Sequence, residues 1–206
     1  MRTTPAFTYH HVFEPAERPG TPALLLLHGT GGTEHDLLRL GRTLSPGSAL
    51  ISPRGDVSEG GALRFFARLR EGVFDPAEVA RRTHALADFI AAACRHYGIE
   101  QLIAVGFSNG ANIAGTLLLL RPDALNGAIL WRPMVVLDQP APAGTLSGKR
   151  VLISSGKLDP LMPADHPDRL AALFRAGGAE VTLESQAASH ALVPADLASA
   201  QAWLQR

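Results

Sequence analysis

The stretch AVGFSNGANIAG, residues 104–115, sets the hydroxyl of Ser108 between two glycines, Gly106 and Gly110. A serine hydroxyl is a poor nucleophile near neutral pH and attacks a carbonyl only when a neighbouring base takes its proton. The pentapeptide G-x-S-x-G is too short to mean much by itself. Its context says more: LIAV before it reads as a strand, and NGANIAGTLLLL after it opens a helix. A serine in so tight a strand-to-helix turn needs small neighbours and has its oxygen thrust above the sheet. The chemistry this predicts is nucleophilic attack.

A nucleophilic serine needs a base and an acid. Downstream of Ser108 the histidines are His166 and His190. His166 precedes Pro167 at a helix start, where solvent exposure is expected. His190 sits in AASHALVP, the loop after the last predicted strand, which emerges on the same carboxyl edge as the serine turn; it is the expected base. The acid should follow a strand between the two. Asp159, in SSGKLDPLMP, comes five residues after VLIS in a turn built by Gly156 and Pro160, and is preferred. Asp138, seven residues beyond AILW in a proline-rich loop, is the rival, and Asp165 is expected to cap a helix. The acid would hold the imidazole in the right tautomer and stabilise its cation without taking the proton.

Attack on a carbonyl also builds negative charge on oxygen, which backbone N–H groups can stabilise. LLLLHGTGG (24–32) ends a strand in a loop where Gly29, Gly31 and Gly32 allow close backbone approach. The Thr30 N–H and the Asn109 N–H, next to the nucleophile, are the expected donors. HGTGG matches neither the P-loop nor the dinucleotide fingerprint.

These residues must be positioned by something, and short apolar runs alternating with helical patterns supply it. ALLLLH (23–28), SALIS (48–52), QLIAV (101–105), NGAILW (126–131), KRVLIS (149–154) and AEVTLE (179–184) read as strands. Most are apolar on both faces, as in a parallel sheet covered by helices on each side. AFTYHHVFE, more alternating, suits an antiparallel edge strand. DPAE (75–78) carries an acid N-cap, proline at the first helical position and Glu78 in capping-box position; the helix should run to Tyr97 and stop at Gly98. Further helices are expected at about 34–44, 109–121, 165–176 and 194–205, the fourth of the five closed by Gly177 and Gly178. The result is a single α/β domain with a doubly wound, mostly parallel sheet and ligands at the carboxyl ends of its strands. The long stretch 53–74 is expected to be irregular and too short for a cap domain, leaving the site open.

The chain has 206 residues, 46% hydrophobic and 18% charged, which fits a well-packed globule and excludes disorder as the default. Nineteen basic residues balance nineteen acidic ones, so charge predicts neither nucleic acid nor an anionic membrane as partner. The single cysteine, Cys94, cannot form an internal disulfide and reads as a small buried hydrophobe on a helix. The N-terminus shows no signal-peptide pattern, so a cytoplasmic protein is expected. His10 and His11 have no third ligand nearby in sequence; no metal or cofactor is expected.

LHGTGG, SPRG, RFF…EGVFD, GFSNGANIA, RPM, SGKLDP and SH occur here in the order that resembles the phospholipase/carboxylesterase family of α/β-hydrolases, nearest its small bacterial carboxylesterases. The family also includes acyl-protein thioesterases and dienelactone hydrolases; Asn109 where the former usually have glutamine, and serine where the latter have cysteine, set this chain apart from both. The resemblance implies a cap-less, often dimeric serine esterase of small carboxylic esters. It implies Ser108, Asp159 and His190 as triad, with Thr30 and Asn109 as oxyanion hole. A thioesterase or lysophospholipase of the same family, or a non-catalytic ligand receptor, is the alternative. For the substrate pocket, Arg54 at one strand end, Arg64, Phe65 and Phe66 in the long loop, and Trp131 and Arg132 at another strand end suggest an apolar wall with a cationic rim suited to a carboxylate-bearing or aromatic ester; the alternative is that the aromatics pack the loop and the arginines are solvated or structurally paired.

Overall fold

The computed structural model describes residues 7–206. In chain order the elements are β1 (His11–Glu14), β2 (Ala23–Leu27), α1 (Leu38–Leu44), β3 (Leu50–Pro53), β4 (Val57–Glu59), β5 (Ala62–Arg64), α2 (Pro76–Tyr97), β6 (Leu102–Phe107), α3 (Asn109–Leu120), β7 (Gly127–Trp131), β8 (Arg150–Gly156), α4 (His166–Ala176), β9 (Glu180–Gln186) and α5 (Pro194–Leu204). Seven strands form one sheet in the order β1-β3-β2-β6-β7-β8-β9. β1 runs antiparallel to β3 and the other pairs run parallel. The expected edge strand is therefore present; Ala6, the first residue of that segment, lies outside the described residues.

The leucine run of β2 shows why both faces are apolar. Side chains alternate across a strand. Leu25 and Leu27 enter a core with α2, α3 and α4, while Leu24 and Leu26 enter a second core with α1 and α5. All four are fully buried. α2 starts where Asp75 accepts the Ala77 N–H through its side chain at 2.9 Å and ends at Gly98, whose φ of +71° places it in the left-handed region. Glu78 does not complete a capping box, because Arg81 and Arg82 hold its carboxylate. Cys94 is half-buried against the first core, and burial pushes its thiol pKa up. Among the described residues, no helix is long and apolar enough to cross a membrane.

Two further expectations need correction. The helix foreseen from residue 34 begins at Leu38, because Glu34 is 2% exposed and drawn into a bidentate pair with Arg54 at 2.5 and 2.6 Å. The stretch 53–74 is not wholly irregular: β4 and β5 pair antiparallel across Gly60 and Gly61, with φ of +57° and +87°. A two-residue glycine turn with both φ positive matches the right-handed twist of its strands.

One buried ion pair ties the carboxyl edge together. Arg132, directly after β7, donates from Nη1 and Nη2 to the Asp196 carboxylate at 2.9 and 2.7 Å, and both side chains are 0% exposed. The same guanidinium reaches the carbonyls of Ser154, Ser189 and Ala191 at 3.2, 3.2 and 3.0 Å. Asp196 also accepts from the Ser154 hydroxyl at 2.6 Å and the Val193 N–H at 2.9 Å. Burial alone would lift the Asp196 carboxyl pKa, but these hydrogen bonds hold it below the usual carboxylate range. β7, β8, the loop after β9 and α5 thus meet at one charge.

Removing one partner of such a pair strands the other in a dry site, at a typical cost of about 3–5 kcal/mol. Asp196→Asn is accordingly expected to lower the unfolding free energy measured by urea titration by that order; a loss below about 1 kcal/mol would show that Arg132 recovers solvent or another acceptor. A second expectation concerns acid. The Arg54 hydrogen bond brings the Glu34 pKa from its ordinary 4.5 to about 2, against the cost of burial. The pair's stabilisation is present above pH 4.5 and is lost as pH falls toward 2. Glu34→Gln should flatten the decline of stability in that window and leave its shape near neutrality; an unchanged acid limb would refute the linkage.

Candidate active site

Ser108 lies between β6 and α3 with φ +53° and ψ −116°, a conformation that L-residues rarely adopt. Strain of this kind costs on the order of 1–3 kcal/mol and persists only where the surroundings impose it. Here they do. A Cβ on Gly106 would sit 2.6 Å from the Gly110 carbonyl, and one on Gly110 would sit 2.0 Å from the Leu27 carbonyl. The first turn of α3 is pressed against β2 and β6, and Ser108 is turned outward at the helix N-terminus, where the peptide dipoles favour negative charge.

Three side chains then meet in a line. Ser108 Oγ lies 2.9 Å from His190 Nε2, and His190 Nδ1 lies 2.8 Å from Asp159 Oδ2. Asp159 is 0% exposed at its side chain, while His190 is 27% exposed. The other Asp159 oxygen accepts from the Leu161 N–H at 2.9 Å, which fixes the carboxylate. With Nδ1–H donating to that carboxylate, Nε2 keeps a free lone pair facing the hydroxyl. Gly156 lets the histidine loop come close, since a Cβ there would be 2.3 Å from the Ser189 carbonyl. The carbonyls on either side of His190, those of Ser189 and Ala191, are the two gripped by Arg132. The imidazole is therefore aimed by a buried cation that never touches it.

Thr30 and Asn109 both border the same cavity as Ser108. Neither backbone N–H is spent on a partner among the described residues. The glycine loop is braced from behind. His28 donates from Nδ1 to the Gly29 carbonyl at 2.7 Å and accepts the Gly55 N–H on Nε2 at 2.9 Å, and the Gly31 N–H reaches the Leu63 carbonyl at 2.8 Å. That arrangement needs a neutral ring, and burial pulls the His28 pKa down accordingly. Asn109 turns its side-chain oxygen to the Phe65 N–H at 2.8 Å.

The residues expected to form the pocket wall are only partly there. The cavity, about 260 Å³, takes its apolar surface from Phe74, Phe107, Met134, Leu161 and Met162. Phe65 and Phe66 are 0% exposed and pack into the core beneath it, and Trp131 points into the opposite core. Arg54 is taken by Glu34. Arg132 borders the cavity, but its guanidinium is consumed by Asp196 and three carbonyls. Arg64 does line the cavity, hydrogen-bonded to Thr30 Oγ1 at 2.7 Å. Asp138, the rival acid, is a surface residue paired with Arg169 at 2.7 Å. Asp165 makes no capping hydrogen bond and also pairs with Arg169. His166 is not a free surface group: its Nδ1 accepts the Val135 N–H at 3.1 Å. The methionines and Leu161 escaped sequence reasoning because no spacing marks a loop side chain that faces a cavity. The RPM step after a strand could have suggested Met134.

Comparison with known proteins agrees with this architecture. Residues 22–148 match the family described as alpha/beta hydrolase fold. "Putative hydrolase MhqD" of Bacillus subtilis (strain 168) is 43% identical over 195 residues, 94% of this chain and 96% of that protein. The Bacillus cereus carboxylesterase structure superposes with a TM-score of 0.92 at 38% identity, covering 96% of this chain and 94% of that one. The carboxylesterase from Mesorhizobium loti gives 0.89 at 31% identity, covering 97% and 96%. With a mostly parallel seven-stranded sheet, a serine on a strained strand-to-helix turn and these relatives, the chain belongs to the α/β-hydrolase fold family.

Proposed function

We propose that the chain is a serine carboxylesterase of small carboxylic esters, acting through an acyl-enzyme. The observation that carries this reading is the unbroken line from Asp159 through His190 to Ser108, with both links under 3 Å. In the reaction, His190 Nε2 takes the Ser108 proton as Oγ attacks the ester carbonyl. The Thr30 and Asn109 N–H groups receive the oxyanion of the tetrahedral intermediate. Collapse expels the alcohol, to which His190 returns the proton. Water, deprotonated by the same nitrogen, then attacks the acyl group and releases the acid. Asp159 keeps the ring in the tautomer that presents a lone pair and stabilises the imidazolium.

The small cavity supports a small substrate. At about 260 Å³ it lies just below the roughly 300–1,000 Å³ typical of small-ligand sites. Among the described residues that cavity is too small to bury a palmitoyl chain, which favours a short-chain esterase over a long-chain thioesterase. Relatives described as carboxylesterases support ester hydrolysis as the reaction class.

Turnover of p-nitrophenyl acetate is expected to show a burst that Ser108→Ala abolishes, with kcat falling by about 10³-fold or more while the unfolding midpoint holds. Retained turnover would refute Ser108 as nucleophile. Asp159→Asn preserves shape but lets the imidazole adopt the wrong tautomer, and kcat should drop by about 10⁴-fold, as in other serine hydrolases. A drop of only a few-fold would remove Asp159 from the mechanism. A fluorophosphonate probe that labels the wild type but not His190→Ala would distinguish catalyst from receptor.

A further inference from the structure

Four arginines lie near the carboxyl edge, and three of them donate hydrogen bonds to a carboxylate. Arg54 is held by Glu34 at 2.5 Å, and Arg132 by Asp196 at 2.7 Å. Arg68 is held by Glu59 at 2.6 Å and by Glu71. Arg64 differs. Its hydrogen bonds go to neutral acceptors, the Phe66 carbonyl at 3.1 Å from Nε and Thr30 Oγ1 at 2.7 Å from Nη1. The nearest carboxylate, Glu59, approaches Nε only to 3.5 Å with an oxygen that is buried and makes no hydrogen bond. The side chain is 5% exposed, and burial pulls its pKa down from the ordinary arginine value. Its Nη2 group has no protein acceptor and is not sealed from solvent, and the residue lines the cavity that holds Ser108. Glu71, which also borders the cavity, is already paired with Arg68.

A guanidinium kept almost dry, with an unpaired edge on the cavity that also holds Ser108, is a recognition element for an anion. We infer that Arg64 anchors a carboxylate on the substrate, so that the preferred substrates are half-esters of small dicarboxylic acids or similarly charged small esters. This rests on the esterase reading and narrows it. The ester carbonyl sits at Ser108 and the Thr30 amide, and the second carboxylate reaches the guanidinium that braces Thr30 from its side chain. Of the other cations expected at the site from sequence, Arg54 is paired with Glu34 and does not line the cavity, and Arg132 has no donor left to offer.

The test compares mono-p-nitrophenyl succinate and glutarate with neutral p-nitrophenyl esters of equal chain length. Wild-type kcat/KM is expected to favour at least one charged ester by about tenfold or more, the scale of a charge-assisted hydrogen bond, mainly through KM. Arg64→Gln should collapse that ratio and Arg64→Lys should restore part of it. No preference in the wild type at either length, or an equal fall for both classes in Arg64→Gln, would overturn the anchor and leave Arg64 a brace for Thr30. Calorimetric binding of monoethyl succinate to the Ser108→Ala protein, with and without Arg64→Gln, reads the subsite without turnover. Arg64-dependent binding together with a wild type that turns over no ester would sink the esterase reading alone; absent or Arg64-independent binding would sink the subsite.

Discussion

The arrangement at the carboxyl edge depends on a single desolvated contact, Arg132 with Asp196. Each of the groups it organises comes from a different part of the chain: the end of β7, Ser154 in β8, the loop that carries His190, and the start of α5. Coulombic attraction in a dry interior is strong, but so is the cost of removing both charges from water, and a buried pair is retained at a net profit only when every remaining donor and acceptor is filled. Here the guanidinium spends its donors on two carboxylate oxygens and three carbonyls. Stability is then a by-product of geometry. The pair fixes where the histidine loop lies relative to Ser108.

The other constraint is steric and acts at the neighbouring strand end. Ser108 and Arg132 are the non-glycine residues with positive φ among the described residues, and they follow β6 and β7, adjacent in the sheet. The Ser108 N–H donates to the Trp131 carbonyl and the Arg132 N–H to the Ser154 carbonyl, so the ladder between neighbouring strands continues one residue past each end. Two successive strands are thus held in register up to the point where the chain must turn sharply. The serine turn is shaped by what glycine lacks, and the arginine turn by what its side chain gains.

Much of this was legible in the sequence because it was encoded locally. The parallel sheet follows from apolar runs such as ALLLL, and the site residues Ser108, Asp159 and His190 each stand one loop beyond a readable strand. The boundaries that slipped did so for tertiary reasons. Residues 34–37 have helical composition, yet Glu34 gains more from Arg54 than from a first helical turn. The β4–β5 hairpin was visible in the Gly-Gly pair but was obscured by its position inside a long polar loop. The pocket wall was the least legible part. Phe65, Phe66 and Trp131 look like substrate-facing aromatics by type and place, but whether a side chain at a strand end turns to the cavity or the core depends on partners far away in sequence. The same holds for arginines, whose availability is decided by which carboxylate reaches them first.

The two tryptophans share a layer. Trp131 and Trp203 are both almost fully buried, and both belong to the core between the sheet and the helices α1 and α5, on the side of the sheet away from α2, α3 and α4. Their intrinsic emission therefore monitors the packing of that layer, including the docking of α5 and, with it, the helix that bears Asp196. A small ligand entering beside Ser108 meets phenylalanine and methionine first, and neither indole lines that cavity. Fluorescence of this molecule is an optical gauge of its back wall, linked to the front through Phe107, which borders the cavity and packs against that layer.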